Sequence, residues 1–233
     1  MGNDALFIPC ESCTIRTHPF FRHLTEKELE DVSLSKITES FKRGSIIYRE
    51  GQRMKGFYCV HQGIIKIYKT GFDGKEQIIR FAKPGDLIGY RSIISNEPAC
   101  TTTEVLENCT ICHIPAELLM TLVRTNGNFA VEMMKLTCKE LGEANTYITD
   151  IAQKTVKERL AEILIRLEDE FGIAADGILQ ISLTREELSN IVGTATESII
   201  RLLSEFKQEH LIEINGRKIK ILDRPGLTCI AEL

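Results

Sequence analysis

A chain of 233 residues, 43% hydrophobic and 27% charged, is long enough for two ordinary domains that each bury a core without metal or disulfide staples. A formal net charge of -4 excludes a large basic field for non-specific nucleic-acid binding. No apolar run reaches the ~18 residues of a membrane span, and the opening MGNDALFIPC has neither the basic flank nor the long apolar core of a secretory signal. The chain is therefore expected in the cytoplasm, with no membrane partner and with its eight cysteines as free thiols.

Two of those thiols come first, in the CxxC pair Cys10 and Cys13. Residues 20–34 then predict a short helix, with Thr25 as its cap, Glu28 three residues on, and Leu24, Leu29 and Val32 as its apolar face. From about Phe41 to Pro115 the pattern changes to short apolar runs punctuated by glycine, with GFDGK as a tight hairpin turn. Many short strands of this kind predict an antiparallel β-barrel or sandwich. A second CxxC pair, Cys109 and Cys112, lies near its end, and a helix begins near Ala116.

Residues 128–153 predict one long helix. Ala130, Met134, Thr137, Leu141, Ala144, Ile148 and Ile151 recur at alternating spacings of four and three, the seam of a coiled coil. A helix packed on its own domain needs only a similar stripe. An uncharged seam of this length is nevertheless best satisfied by a two-fold partner, with Met134, Leu141, Ala144, Ile148 and Ile151 as its interface.

A further helix, TVKERLAEILIRLEDEFG, ends at Gly172, and ILQISLT reads as a short strand. Two helices about a glycine turn follow. Thr184 caps the first, with Glu187 completing a capping box, and Leu188, Ile191 and Val192 face inward. Gly193 turns the chain. In the second helix Ile199, Leu202, Leu203 and Phe206 point inward, leaving Thr196, Glu197, Ser198, Ile200 and Arg201 on the other face. Arg pairs bidentately with guanine and Glu accepts from a cytosine amino group, which suits a major-groove helix. An ordinary i, i+4 ion pair between Glu197 and Arg201 is the plain alternative. HLIEINGRKIKILD then reads as a two-strand wing turning at Asn215-Gly216, with Arg217, Lys218 and Lys220 placed for phosphates. The candidate DNA contacts are Thr184, Arg185, Thr196, Glu197, Ser198, Ile200, Arg201, Arg217 and Lys218.

From about Cys10 to Leu222 the chain resembles the CRP/FNR family of bacterial transcription regulators. The resemblance is carried by GSIIYREGQRMKGFYCVHQGIIKIYKTGFDGKEQIIRFAKPGDLIG and by LTREELSNIVGTATESIIRLLSEFKQEHLI. It implies an α+β fold: an N-terminal antiparallel β-barrel (a cyclic-nucleotide-binding-like jelly roll), a long dimerisation helix and a C-terminal winged helix-turn-helix. The corresponding domains are a helix-and-barrel sensor over 1–125, a dimerisation helix over 126–153 and a DNA-binding domain over 154–233. It further implies a homodimer on palindromic double-stranded DNA, with RNA polymerase as a partner. The family's base-reading Glu and Arg fall on Glu197 and Arg201. Two more contact positions fall on Thr196 and Ile200, where cyclic-AMP-responsive members carry Arg at the first and oxygen-responsive members Ser at the second.

The effector stays unnamed. The Gly-Glu pair that holds a cyclic nucleotide's ribose falls on Gly89-Tyr90, and the Arg-Ser pair that holds its phosphate falls on Ala99-Cys100. A buried phosphate needs its cation, so the resemblance argues against cyclic AMP. The oxygen-sensing branch carries an iron–sulfur cluster, whose opening pair resembles Cys10 and Cys13 and whose distant ligand falls on Cys112. The third N-terminal cysteine is replaced by Pro19 with His18 beside it, leaving His18 or Cys109 to complete a set. Inert buried thiols are the favoured reading. No nucleophile motif or phosphate loop points to an enzyme. The rival function is a cyclic-nucleotide-type regulatory module with no DNA role, which would lack the C-terminal third.

Overall fold

A computed structural model describes Pro9, Cys10, Cys13, Arg16 and residues 20–232. Helix α1 (Glu26–Ser35) starts at a capping box. The Thr25 hydroxyl accepts the Glu28 N–H at 3.3 Å, and the Glu28 carboxylate accepts the Thr25 N–H at 2.8 Å. Two orphan donors of the first turn are thereby satisfied, and Leu29 and Val32 are buried beneath it.

Six strands follow: β1 (Ile37–Phe41), β2 (Ile46–Tyr48), β3 (Gly56–Thr70), β4 (Glu76–Ala82), β5 (Leu87–Ile88) and β6 (Thr102–Pro115), with the short helix α2 (Tyr90–Ser95) before the last. They form one sheet in the order β1-β6-β3-β4, with β2 also on β6 and β5 also on β3. The sheet is not the closed barrel that the sequence predicts. The path ends at β1 and β4, which do not pair, so the sheet is open. Closure needs ladders of matched length all round, and the sheet has only two long strands. β3 and β6 span 15 and 14 residues, whereas β1, β2 and β5 span 5, 3 and 2. The long pair runs antiparallel from Gly56↔Pro115 to Tyr68↔Thr102, with register shifts between Val60 and Ile65. Such bulges bend a strand and increase its twist without closing it. Gly63 sits there at φ 91°, where an added Cβ would lie 2.5 Å from the Asn108 carbonyl oxygen.

Alternation along the long strands sorts the core onto two faces. Phe57, Cys59, Cys112 and Ile114 join Phe20, Val32 and Leu119 in one cluster, while Val60, Cys109, Ile111, Ile65 and Tyr48 form the other. Helices α3 (Ala116–Thr125) and α4 (Gly127–Gln153) follow. The Asn126 amide donates to the His23 carbonyl and the Glu28 carboxylate at 3.0 and 2.9 Å, and its side-chain oxygen accepts the Phe129 N–H.

The chain divides into two compact units, one running to Gly74 and including Ile78–Leu141, the other comprising Lys75–Gln77 and the chain from Gly142 onward. The second holds α5 (Val156–Phe171), α6 (Arg185–Val192), α7 (Thr196–Gln208), β7 (Ile212–Asn215), β8 (Lys218–Ile221) and α8 (Arg224–Ala231). Leu160, Leu164, Leu188, Ile199, Leu203, Phe206 and Leu227 make its core. The strand expected at ILQISLT is reduced to isolated bridges, Ile173↔Leu179 and Ile178↔Lys220. Helix α8 was not anticipated. Asp223 caps it, and Arg224 ties it to Glu168 and Asp169 of α5.

Candidate nucleic-acid interface and thiol cavity

The reader is built from α6, a tight turn and α7. Thr184 and Glu187 form the capping box at the start of α6, and Gly193 ends the helix at φ 74° in the left-handed region where an L side chain is strained. The Ser189 and Thr196 hydroxyls share a hydrogen bond of 3.0 Å across the turn. From α5, the Arg159 guanidinium donates to the Val192 carbonyl at 3.0 Å and to the Lys154 carbonyl at 2.7 Å. A cation at the C-terminal end of a helix meets the negative end of its dipole, so Arg159 pins the end of α6.

With that frame fixed, the exposed side of α7 follows from its period. Ile199, Leu202, Leu203 and Phe206 are buried, while Glu197, Ile200 and Arg201 are exposed and Thr196 and Ser198 half-buried. The Arg201 side chain is 71% exposed, and its guanidinium lies 3.8 Å from Glu205, one turn further on. No Glu197–Arg201 ion pair occurs among the described residues; Arg201 meets Glu205 instead. On the wing, Asn215 pairs in register with Lys218, and Gly216 turns at φ 61°. Arg217 and Lys218 are exposed there. Arg185 donates to the Gly216 carbonyl at 3.0 Å and carries a second, buried nitrogen with no hydrogen-bond partner. It joins the start of α6 to the wing turn.

Helix α4 buries Phe129 and Met133 and exposes a different stripe. Met134, Leu141 and Ile148 are 59%, 61% and 66% exposed, and Ala144 and Ile151 are exposed with them. Near its middle, Glu140 forms an ion pair with Arg80 at 3.0 Å and lies 3.7 Å from Arg91. Tyr90 is buried beside the same carboxylate; burial, and then the Glu140 charge, push its phenol up. Ala99 is buried, and Cys100 accepts from Arg91 at 3.3 Å. Neither pair offers a ribose acid or a phosphate cation.

The cysteines sort by strand parity. Cys10, Cys13, Cys59 and Cys112 line one cavity with Lys36. Cys59 and Cys112 face each other in register across β3 and β6. Cys109 is an odd number of residues from Cys112 and so belongs to the opposite face, where burial pushes its thiol up to about 11. Of the sequence candidates, three are brought together, Cys109 is not, and His18 lies outside the described residues. Cys59, Lys36 and His61 were missed: Cys59 meets Cys112 only through the register of β3 and β6, and Lys36 and His61 come near the thiols only in the folded chain. Among the described residues no group of three or more His, Cys, Asp or Glu is arranged to hold a metal ion. The Lys36 amine also lines the cavity, beside Cys10. Only two of the N-terminal ligands that an iron–sulfur cluster of the resembling kind calls for are present, since Pro19 stands at the third.

The cyclic nucleotide-binding domain model matches residues 38–126, and the Crp-like helix-turn-helix domain model matches residues 158–230. The regulatory protein HlyX of Actinobacillus pleuropneumoniae is 30% identical over 97% of this chain and 95% of its own length. Electron transport regulator A of Shewanella oneidensis is 29% identical over 96% and 90%. Among solved structures, FixK2 from Bradyrhizobium japonicum superposes with a TM-score of 0.76 at 23% identity, covering 84% of this chain and 96% of its own. A CRP/FNR-family transcriptional regulator from Thermus thermophilus gives 0.69 at 25% identity, covering 84% and 98%. No helix among the described residues is long and apolar enough to cross a membrane.

Proposed function

The chain belongs to the CRP/FNR family and is a DNA-binding transcription regulator, and from that premise we propose how it reads its operator and what assembles on it. Helix α7 enters the major groove, with Glu197 and Arg201 at base edges and Thr196, Ser198 and Ile200 beside them. Glu accepts from a cytosine amino group and Arg pairs with guanine, so the half-site keeps a G·C-rich core. Arg217 and Lys218 on the wing, with Thr184 and Arg185 at the start of α6, hold the phosphates and set the register. The observation that carries this reading is the exposed first half of α7, held by the Gly193 turn and the Arg159 clasp.

Two copies associate through Met134, Leu141, Ala144, Ile148 and Ile151 of α4, the dimerisation helix between a sensor domain (1–125) and a reader domain (154–233), so the operator is palindromic. The protein acts in the cytoplasm with RNA polymerase as its partner, and its effector is not cyclic AMP. Selection from random duplexes tests the reading. Enrichment of a palindrome whose half-sites are ~34 Å apart is expected; recovery of unrelated sequences, or of single half-sites only, would defeat it.

A further inference from the structure

Four thiols open on one cavity against α1, and the DNA-reading role uses none of them. They are not alike. Cys59 and Cys112 are 5% and 6% exposed, and burial pushes both thiols up, which keeps them protonated and unreactive. Cys10 and Cys13 are half-buried, and the Cys13 N–H donates to the Cys10 carbonyl at 3.3 Å. A backbone hydrogen bond between residues three apart goes with Cα atoms within about 7 Å of each other, near the reach of a disulfide.

Each of the two has its own polar neighbour. Lys36 and Cys10 line the same cavity; burial pushes the Lys36 amine down, but the neighbouring thiols outweigh that and hold it above its ordinary range. The Cys13 sulfur lies 3.5 Å from Nδ1 of His61. Burial, then the Lys36 charge, hold the His61 imidazole below its ordinary range. Its ring is therefore uncharged at neutral pH, with a nitrogen able to accept a proton.

We propose that Cys10 and Cys13 are a reactive dithiol that exchanges with low-molecular-weight disulfides, with Lys36 as the cation beside Cys10 and His61 as the base beside Cys13. Cys10 reacts as its thiolate, having given its proton to solvent. It attacks one sulfur of the small disulfide, whose S–S bond breaks, and the departing thiolate takes a proton from water. Cys13 then passes its proton to His61 and attacks the Cys10 sulfur. The mixed disulfide breaks, and the second small thiolate leaves with the proton held by His61. Two protein thiols lose two electrons to form one disulfide, and the small disulfide is reduced to two thiols. The buried Cys59 and Cys112 stay reduced. This site is independent of the base-reading assignment, because its test needs no DNA.

The reduced full-length protein is incubated anaerobically with oxidised glutathione, quenched with an alkylating reagent and mapped by peptide mass spectrometry. The Cys10–Cys13 disulfide should form about tenfold faster than glutathione adds to the exposed Cys229. Cys13→Ser should accumulate glutathione on Cys10, Lys36→Met should slow that first addition several-fold, and His61→Phe should slow only the closing step. Cys10 reacting no faster than Cys229 in the wild type would overturn the proposal, as would a bridge between Cys59 and Cys112. Stoichiometric iron and sulfide in anaerobically purified wild type, lost in Cys13→Ser, would overturn it as well.

Discussion

Arg201 and Lys218 are both exposed cations, yet their positions give them different work. Arg201 projects from α7 where base edges are expected, whereas Lys218 begins the return strand of the wing, where phosphates are expected. Arg201→Ala should cost ~1–3 kcal/mol per half-site and relax the preference at one base pair. Lys218→Ala should weaken every sequence alike and lower the slope of log affinity against log salt by about one. Titrating a selected operator and a scrambled duplex at several salt concentrations separates the two; an unchanged preference in Arg201→Ala would remove α7 as the reader. Glu28 carries a different test. Burial pushes its carboxyl up, but hydrogen bonds from the Thr25 N–H, the Asn126 amide and the Thr25 hydroxyl outweigh that and hold it below its ordinary range. A carboxyl depressed in the folded state contributes stability that is present above its unfolded value and lost as pH falls through its folded one. Glu28→Ala should therefore cost about 1 kcal/mol at pH 7 in urea unfolding. The gap to wild type should narrow as pH drops below ~4.3. At this scale, a cysteine's chemistry was less legible than a cap. Thr25 and Glu28 declare themselves three residues apart, whereas Cys59 joins Cys112 only through a strand register that no local spacing encodes. The parity that separates Cys109 from Cys112 was present in the chain, but it has meaning only once that segment is known to be a single strand.

The elements that read most plainly are those fixed by local chemistry. The capping box and glycine stop of α6, the apolar period of α7 and the Asn215-Gly216 signal all appear in the structure at the residues that predicted them. The open sheet did not, because glycine-punctuated strands look alike whether or not the first and last strands meet. That meeting depends on residues far apart in the chain, and on β1, β2 and β5 being too short to continue a ladder. Arg159 was silent for the same reason, since its Val192 and Gly193 partners lie more than thirty residues away at the end of α6. Arg159→Ala leaves the Val192 and Lys154 carbonyls without their donor and should destabilise the C-terminal unit by ~1–2 kcal/mol. Gly193→Ala, forced to φ 74°, should cost about 1 kcal/mol through backbone strain. Thermal unfolding by circular dichroism measures both. Because neither residue is placed at a base edge, duplex selection with either variant should return the wild-type sequence. A changed sequence would mean that Arg159 or Gly193 takes part in reading.

For the whole molecule, the deciding feature is an apolar stripe on α4 that is exposed among the described residues. Met134, Leu141, Ile148 and Ile151 are exposed while Phe129 and Met133 on the same helix are buried. A contiguous exposed apolar patch marks an interaction surface, and a seam of alternating four and three is self-complementary, so a second copy is its natural occupant. The wild type should be a dimer by light scattering at micromolar concentration with no added ligand. Ile148→Glu would bring two like charges together at the two-fold axis, where burying unpaired carboxylates costs several kcal/mol. That variant should be monomeric, keep the thermal unfolding of its C-terminal unit, and lose tight binding to the palindrome. A residual affinity for one half-site should remain, because α7 is untouched. The loss follows from geometry. Two recognition helices engage half-sites about one helical turn apart only when one seam holds them, and separate monomers must each bind without that advantage. A monomeric wild type across the micromolar range, or an Ile148→Glu monomer that binds the palindrome as tightly as wild type, would move the dimer interface away from α4.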